Sequence, residues 1–393
     1  MFEFNEAERM RHIPFSEIRR LFEQVTRRKN EGLPTVAFHV GSPDFDTPDH
    51  IKEAAKQALD EGMTAYTSNY GIPELRTALA RKLARDNGIQ ADPNTQIIVT
   101  VGTNEAIMMV MMGLLNPGDE VLIPDPSWLH YRYCAALAGA TVVPVPLNER
   151  DGFQLNPDDI ARRITPRTRM LLINTPHNPT GAVYREETLL GIAALVEKHG
   201  LLLISDEIYE KIIFNSTRHI SPGSFENIAA QTITVNGFSK AYAMTGWRLG
   251  YVVAAPQIIK TLVRVHQYTT ICAPSFAQAG AVAALEGPQQ PMFDMIEAFD
   301  QRRQVVEAVL RETPGVSLVS PQGAFYAFPK ISPLGLSSNE FAERILSEAG
   351  VALVPGSAFG DEGEGFIRIA YSCSLDDVQR GMSALRAFCE RVG

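Results

Sequence analysis

A lysine in a segment of small and apolar residues is the feature of this sequence best suited to chemistry. Lys240 directly follows Ser239, and Arg248 lies eight positions further on (248 − 240 = 8). An amine shielded from water has a lowered pKa and attacks carbonyl groups, as Schiff-base lysines do. The serine hydroxyl and the arginine fork suit a phosphate beside that amine. The segment suggests a lysine that holds pyridoxal 5′-phosphate, although an exposed Ser-Lys turn is the alternative for the pair alone.

A second candidate is the turn that follows the strand predicted over residues 97–101. Gly102 and Thr103 lie between that strand and a helix, where backbone N–H groups and the positive helix end favour an anion. Gly102 permits close approach, and Thr103 adds a hydroxyl. The alternative is an ordinary corner in which Thr103 or Asn104 caps the helix.

A carboxylate and a phenol follow the apolar strand predicted over residues 201–204. Asp206 lies just past the end of that strand, at the edge where open α/β sheets bind ligands. A carboxylate in a dry position keeps a pyridine nitrogen protonated, so that the ring can accept electrons. Tyr209, three residues later, could donate to the ring oxygen. Taken alone, Asp206 would more simply be a helix cap.

Three further side chains complete the candidate site. Two prolines and a glycine stiffen the loop around Asn178 and hold its amide as a fixed donor, unless the loop is a plain turn. Trp128 follows a strand, where its ring could stack on a pyridine or be half-buried in the core. Arg368 lies within an apolar run and needs an anionic partner, either a substrate carboxylate or a structural salt bridge.

Composition and charge argue against several classes of protein. The 393 residues carry a formal net charge of −9, which argues against a nucleic-acid partner. The four cysteines are scattered without a Cys-x-x-Cys pair, which favours a reducing compartment and predicts no metal site. The longest apolar run, residues 106–115, is too short to cross a membrane, and the acidic N-terminus is unlike a signal peptide. We therefore expect a cytoplasmic protein with no membrane partner.

Short apolar runs alternate with helical patterns through most of the chain. This alternation predicts an α/β fold with a mostly parallel, doubly wound sheet, in a large cofactor-binding domain over residues 46–285. Helices are expected at residues 105–115 and 186–199, among others. The expected strands are residues 97–101, 120–123, 141–145, 170–173, 201–204, 232–235 and 251–254.

The remaining residues, 1–45 and 286–393, predict a smaller α+β domain with an N-terminal arm. A helix over residues 16–31, capped by Ser16 and ended by Gly32, is expected to pack against that domain. The other helices and strands expected there are helices 293–311, 338–349 and 375–390 and strands 324–328, 351–354 and 366–370.

Taken in chain order, these segments resemble the class I and II aminotransferases, the fold-type I pyridoxal-phosphate enzymes, and in particular their aspartate/aromatic branch. The spacing between Asn178 and Asp206 (206 − 178 = 28) matches that family. The resemblance spans nearly the whole chain, through residues 41–48 (Gly-Ser-Pro-Asp-Phe-Asp-Thr-Pro), 66, 70–76, 102–106, 116–120, 126–128, 178–181, 205–209, 239–248 and 368.

The resemblance implies a role for each matching residue at the cofactor ring. Lys240 would form a Schiff base with pyridoxal 5′-phosphate and later shuttle the proton. Asp206 would pair with the pyridine nitrogen, and Asn178 and Tyr209 with the ring oxygen. Trp128 would stack on the ring.

The same resemblance implies the phosphate and substrate contacts. Tyr66 would reach the phosphate of a neighbouring subunit, which implies a homodimer. Gly41 and Arg368 would hold the substrate carboxylate, with Trp128 and Asn178 also among the substrate contacts. The phosphate side would be formed by Gly102, Thr103, Ser239 and Arg248, with Asn104 among the cofactor contacts.

Two positions depart from the pattern of the family. Gly237 stands where some relatives have a further phosphate serine, and Asn104 stands where some acid-specific relatives have a lysine. No confident second anchor for an acidic side chain is present, although Arg264 and the partner subunit leave room for one. The resemblance of residues 16–23 and 41–48 favours the aspartate/aromatic branch.

Three functions remain open at this point. The favoured one is an aminotransferase that moves an amino group from an L-amino acid (aspartate, aromatic or broad range) to a 2-oxo acid, with 2-oxoglutarate expected. The second is a C–S or β-elimination lyase, or an ACC-synthase-like enzyme, on the same scaffold. The third is a non-catalytic regulatory module, which retention of Lys240 makes the weakest.

Overall fold

The computed structural model describes residues 4–15 and 17–393, without the side chain of His12. Ser16, the expected cap of the first helix, lies outside the described residues. The α-helices are α1 (Glu17–Asn30), α2 (Asp49–Asp60), α3 (Pro73–Lys82), α4 (Gly102–Leu114), α5 (Leu129–Leu137), α6 (Pro157–Ala161), α7 (Glu186–His199), α8 (Pro256–Thr269), α9 (Ser275–Glu286), α10 (Gln290–Glu312), α11 (Ser338–Ala349) and α12 (Leu375–Val392). The strands are β1 (Val36–Ala37), β2 (Ile97–Thr100), β3 (Glu120–Asp125), β4 (Thr141–Pro146), β5 (Thr168–Asn174), β6 (Leu202–Asp206), β7 (Thr232–Gly237), β8 (Gly250–Val253), β9 (Tyr326–Ala327), β10 (Val351–Ala352), β11 (Val354–Pro355) and β12 (Ile367–Ala370).

Seven strands form the main sheet, in the order β2-β8-β7-β6-β5-β3-β4. Neighbours from β7 to β4 run parallel. Leu171 and Ile173 of β5 share an apolar cluster with Ile192 of α7, whereas Leu172 shares another with Val110 of α4. Successive strand residues point to opposite faces, so a strand that is apolar throughout is covered on both. The prediction of a mostly parallel, doubly wound α/β sheet is confirmed.

Strand β8 is an exception to the parallel order of the sheet, because it runs antiparallel to both neighbours, β7 and β2. All seven strands predicted for this sheet are present, but an apolar strand sequence does not encode direction. Residues 238–249 join β7 to β8 without an α-helix. The chain therefore reverses beside β7 instead of crossing a face of the sheet. The reversal keeps this connection, which contains Lys240, at the carboxyl edge of the sheet.

Several candidate residues meet at that carboxyl edge. Asp206 is the last residue of β6 and pairs in register with Asn174 of β5 and Val235 of β7. Strand β2 runs in the same direction and leads into α4 at Gly102. The crevice outside the carboxyl ends of parallel strands is where open α/β sheets bind ligands.

A smaller sheet, β11-β12-β9, lies in the C-terminal part of the chain, and β1 pairs in parallel with β10. Leu21 and Val25 of α1 share an apolar cluster with Leu346 of α11 and Ala352 of β10, as the sequence predicted for this helix. The strand expected over residues 351–354 is two strands, because β10 pairs with β1 and β11 with β12. Within residues 4–15 and 17–393, no helix is long and apolar enough to cross a bilayer.

Candidate active site

Lys240 lies in the connection between β7 and β8, and its side chain lines a cavity of about 190 Å³. Its Nζ donates a hydrogen bond to the backbone carbonyl of Gly41. Nζ also lies 5.8 Å from the ring centre of Tyr209 and 5.7 Å from that of Phe325. The amine therefore points into the protein, which argues against the exposed Ser-Lys turn.

The surroundings of Lys240 favour its neutral, nucleophilic form. Burial lowers the pKa of the amine to about 8, and the positive charges of Arg368 and Arg248 act in the same direction. Asp206 opposes them by favouring the charged amine. A lysine with such a pKa presents a substantial neutral fraction near neutral pH, as a nucleophile or base requires.

The cavity brings together most of the site residues that the sequence predicted. Gly102 lies directly behind it, since a Cβ on Gly102 would come within 2.5 Å of Arg248 Nη2. Tyr66 lies apart, 81% exposed, beside a separate depression lined by Cys272 and Phe276. Besides Lys240, the lining includes Gly41, Thr103, Asn104, Trp128, Asn178, Asp206, Tyr209, Ser239, Arg248 and Arg368.

Asp206 is held in a dry position by two hydrogen bonds. Its Oδ2 accepts from the hydroxyl of Tyr131 at 2.7 Å, and its Oδ1 accepts from the backbone N–H of Ile208 at 3.2 Å. Burial raises the pKa of this carboxyl to about 6, although both hydrogen bonds and Lys240 lower it. A cationic partner would favour the ionised form. No α-helix begins directly after β6, so Asp206 is not a helix cap.

The start of α4 and Arg248 form a concave, positively charged corner of the site. Gly102 has a φ of 77°, and no side chain among the described residues caps the first turn of α4. Arg248 has a φ of 52° and donates from Nη1 to the carbonyl of Thr245 at 3.0 Å. A positive φ is uncommon outside glycine and persists where the surrounding structure fixes a residue at a site. Free N–H groups and a guanidinium suit a phosphate.

The Arg368 guanidinium is buried, with the ring centres of Tyr326 and Phe359 at 4.7 and 4.8 Å from its central carbon. Nη1 donates to Asn178 Oδ1 at 3.1 Å, and Nη2 donates to the backbone carbonyl of His39 at 3.0 Å. Neither acceptor is an anion. A buried cation whose hydrogen-bond partners are neutral favours an anion brought by the substrate over a structural salt bridge.

Three residues that support the site were missed in the sequence. Tyr131, the donor to Asp206, lies in α5, and its sequence neighbours did not mark it as a site residue. Asn174 accepts from the backbone N–H of Asn178 at 2.9 Å. Tyr326 bonds the hydroxyl of Tyr209 at 2.8 Å. The contacts of Tyr131 and Tyr326 depend on how the chain folds back, whereas Asn174 lies only four residues before Asn178.

A carboxylate–histidine cluster lies outside the cavity, where Glu207, Glu210 and His219 bring their ligand atoms within 4.8 Å of one another. Lys82 Nζ and Asn87 Nδ2 already donate to these carboxylates. The cluster is therefore a buried charge network in which a lysine supplies the positive charge.

Comparison with known proteins decides the family. A model of the family described as aminotransferase class I and II matches residues 34–385. The chain belongs to this family. Its members use pyridoxal 5′-phosphate, and the chain is a pyridoxal-phosphate-dependent aminotransferase of fold-type I.

Relatives of this aminotransferase are named for different amino donors. The aspartate aminotransferase of Pyrococcus abyssi is 44% identical over 96% of this chain and 97% of its own. The aromatic-amino-acid aminotransferase 2 of Thermococcus litoralis is 44% identical over the same shares. The solved structure of the aspartate aminotransferase from Thermus thermophilus with maleate is 37% identical and matches with a TM-score of 0.94 over 100% of both chains. These names do not favour the lyase alternative.

The residues present in this aminotransferase fit the cofactor. Lys240 offers an amine whose pKa is lowered to about 8. The buried Asp206 offers a carboxylate that would form an ion pair with a protonated ring nitrogen. At Gly102 a side chain would fill the space beside Arg248, so the missing Cβ leaves room for a phosphate against free N–H groups.

Attachment of pyridoxal 5′-phosphate to the apoprotein is expected to follow the lowered pKa of Lys240. Only the neutral amine reacts, and with a pKa of about 8 its fraction reaches one half at about pH 8 and levels off above that pH. Stopped-flow absorbance across a pH series measures this rate. Arg368→Leu removes a positive charge that lowers this pKa, so its plateau should move to higher pH. A wild-type rate that still rises at pH ~10 would contradict the expectation.

Proposed function

We propose that this aminotransferase takes the amino group from an aromatic L-amino acid, from aspartate or from a broad range of donors, with 2-oxoglutarate as acceptor. Relatives named for aspartate and for aromatic amino acids support this range. One observation carries the proposal: Lys240, Asp206 and Arg368 line a single cavity. An amine, an acid for the cofactor ring and a cation for the substrate carboxylate are thus available to one substrate.

We propose that Lys240 and Asp206 carry the proton chemistry. When bound, pyridoxal 5′-phosphate supplies an aldehyde that captures amines and a ring that accepts the electrons released at the substrate α-carbon. Lys240 Nζ would hold the cofactor covalently, and as a neutral amine it would be the base for the substrate α-proton. The Asp206 carboxylate would keep the ring nitrogen protonated. Tyr209 and Asn178 would donate to the ring oxygen, and Trp128 would stack on the ring.

The remaining residues bind two anionic groups, the substrate carboxylate and the cofactor phosphate. Gly41 and Arg368 bind the substrate carboxylate, beside Asn178 and Trp128. The planar guanidinium of Arg368 suits this role because it can donate two parallel hydrogen bonds to a carboxylate. This arrangement fixes the α-carbon next to Lys240. The phosphate would be held by Gly102, Thr103, Ser239 and Arg248, which lie together with Asn104 at or directly behind the cavity wall.

The space left for the substrate side chain favours aromatic donors over aspartate. Ile18, Phe22 and Ile107 contribute apolar surface to the lining. The lysine and the two arginines of the lining all have proposed partners: the cofactor for Lys240, the phosphate for Arg248 and the α-carboxylate for Arg368. Asn104 supplies no charge, and Arg264 is exposed and absent from the described lining. A second carboxylate would therefore lack a dedicated cation in this subunit.

A panel of amino donors against 2-oxoglutarate tests the substrate range. We expect kcat/KM for phenylalanine and tyrosine to exceed that for aspartate by about tenfold, since burial of a ring is favourable while an unpaired carboxylate is not. Asn104→Lys should reverse part of this preference by providing a cation, whereas Asn104→Met should not. Activity confined to alanine or branched donors would exclude the proposed range.

We also propose a homodimer in which Tyr66 reaches the phosphate of the neighbouring subunit. Tyr66 is 81% exposed, and the exposed Leu59 and Phe276 line the depression beside it. Clustered exposed apolar side chains mark association surfaces. Sedimentation equilibrium should give about twice the chain mass of 43.2 kDa. Tyr66→Phe should weaken cofactor binding about tenfold, whereas Tyr268→Phe, at another exposed tyrosine, should not. A monomer with full activity would refute the dimer.

The division into a large domain (residues 46–285) and a smaller one (residues 1–45 and 286–393) is also proposed. The pairing of β1 with β10 supports it, because it joins the N-terminal arm to the C-terminal part. We further propose a cytoplasmic location, with which the four free cysteines are compatible.

A further inference from the structure

The substrate cavity contains a histidine for which the proposed function has no use. His39 lines the cavity two residues before Gly41, and its side chain is only 1% exposed. Neither Nδ1 nor Nε2 has a hydrogen-bond partner among the described residues. Buried polar groups are nearly always paired, because an unpaired one loses its bonds to water. Two unpaired nitrogens on one buried ring therefore point to a bound partner.

The protonation state of this ring follows from its surroundings. Burial lowers the pKa of His39 to about 4, and the charges of Arg368 and Lys29 lower it in the same direction. The imidazole is therefore neutral near pH 7 and has one N–H donor and one acceptor nitrogen. Phe22 of α1 packs against it with ring centres 4.9 Å apart, and this apolar neighbour does not satisfy the donor.

His39 and Arg368 are joined through the backbone. The carbonyl of His39 accepts from Arg368 Nη2 at 3.0 Å, and both residues line the same cavity. Arg368 Nε also lacks a hydrogen-bond partner among the described residues. Unused donors on two adjacent residues of one cavity suit an acceptor with several lone pairs, as a carboxylate has.

We propose that His39 is a specificity-determining residue whose neutral imidazole donates a hydrogen bond to the carboxylate held by Arg368. This inference rests on the proposed role of Arg368 in the substrate site. A neutral donor strengthens carboxylate binding without adding a third positive charge beside Lys240. Such a charge would lower the pKa of Lys240 still further. The imidazole thereby selects for the carboxylate over an uncharged group of the same shape.

The test compares two variants of the holoenzyme. His39→Leu removes both nitrogens, and His39→Gln keeps a donor. The probe is 3-phenylpropionate, a carboxylate without an amino group, titrated by calorimetry. We expect His39→Leu to weaken its binding about tenfold, as the loss of one charge-assisted hydrogen bond implies. His39→Gln should stay within about threefold of the wild type, and the neutral 3-phenylpropionamide should bind wild type and His39→Leu alike.

The remaining outcomes decide against the proposal. Unchanged affinity of His39→Leu for 3-phenylpropionate overturns it, and so does an equal loss for the carboxylate and the amide, which indicates packing alone. The Arg368→Leu variant distinguishes failure of the His39 proposal from failure of the proposed function. If Arg368→Leu binds 3-phenylpropionate as tightly as the wild type does, the substrate carboxylate binds elsewhere and the proposed function fails as well. If His39→Leu does not fold, the ¹⁵N resonances of His39 in the wild type decide, and no change on saturation with 3-phenylpropionate contradicts the proposal.

Discussion

Replacing Lys240 by alanine is expected to lower kcat by at least about 10⁴-fold, the largest effect of any single change. The Lys240 amine points into the cavity, and its pKa of about 8 suits it both to capture an aldehyde and to remove a proton. Alanine does neither. Single-turnover absorbance with phenylalanine, followed by steady-state rates with 2-oxoglutarate, measures the loss.

Lys240→Arg is the matched control for charge. Arginine keeps a cation near the Gly41 carbonyl but stays protonated, so it is no nucleophile at neutral pH. We expect it to be as inactive as Lys240→Ala. If Lys240→Arg kept more than about one hundredth of the wild-type kcat, a positive charge and not a reactive amine would be the requirement at this position.

Asp206→Asn is expected to give the second largest loss, on the order of 10³-fold in kcat. The carboxylate is buried, and the substitution preserves its shape while removing its negative charge. Without that charge the ring nitrogen loses its proton more readily, and the ring accepts electrons less well. The measurement is kcat for phenylalanine together with the cofactor content of the purified variant, which separates slow chemistry from loss of binding.

Tyr131→Phe is the matched control for Asp206. It removes the hydroxyl that donates to Oδ2 at 2.7 Å but leaves the carboxylate in place. The loss of one hydrogen bond to a charged group costs about 1.5–3 kcal/mol, so we expect a change of about tenfold to a hundredfold, smaller than that of Asp206→Asn. An Asp206→Asn variant no slower than Tyr131→Phe would show that the charge of Asp206 is not needed for the reaction.

Much of the fold could be predicted because its signals are local. Each of the seven strands predicted for the main sheet is an apolar run between turns, and α7 and α11 begin and end where their patterns do. The direction of β8 could not be predicted in this way. It depends on whether the chain crosses a face of the sheet after β7, and the apolar pattern of a strand is the same in both directions.

The candidate site was predictable where strand ends and charges in apolar segments marked it. Asp206, Lys240 and Arg368 each stand out against their neighbours in the sequence, and the structure brings them to one cavity. Tyr326 and His39 gave no such signal. Tyr326 contacts the site through its hydroxyl, which lies beside that of Tyr209, 117 residues earlier in the chain. The two free nitrogens of His39 are visible only once burial is known.

Borohydride reduction of the holoenzyme, followed by digestion and mass spectrometry of the peptides, tests the central claim most directly. Reduction makes the bond between the cofactor and its lysine permanent, so the position of the cofactor-derived mass identifies the amine. We predict one such mass per chain, on the peptide that contains Lys240, with activity abolished. A label on another lysine, or a reduced enzyme without any label, would contradict the account.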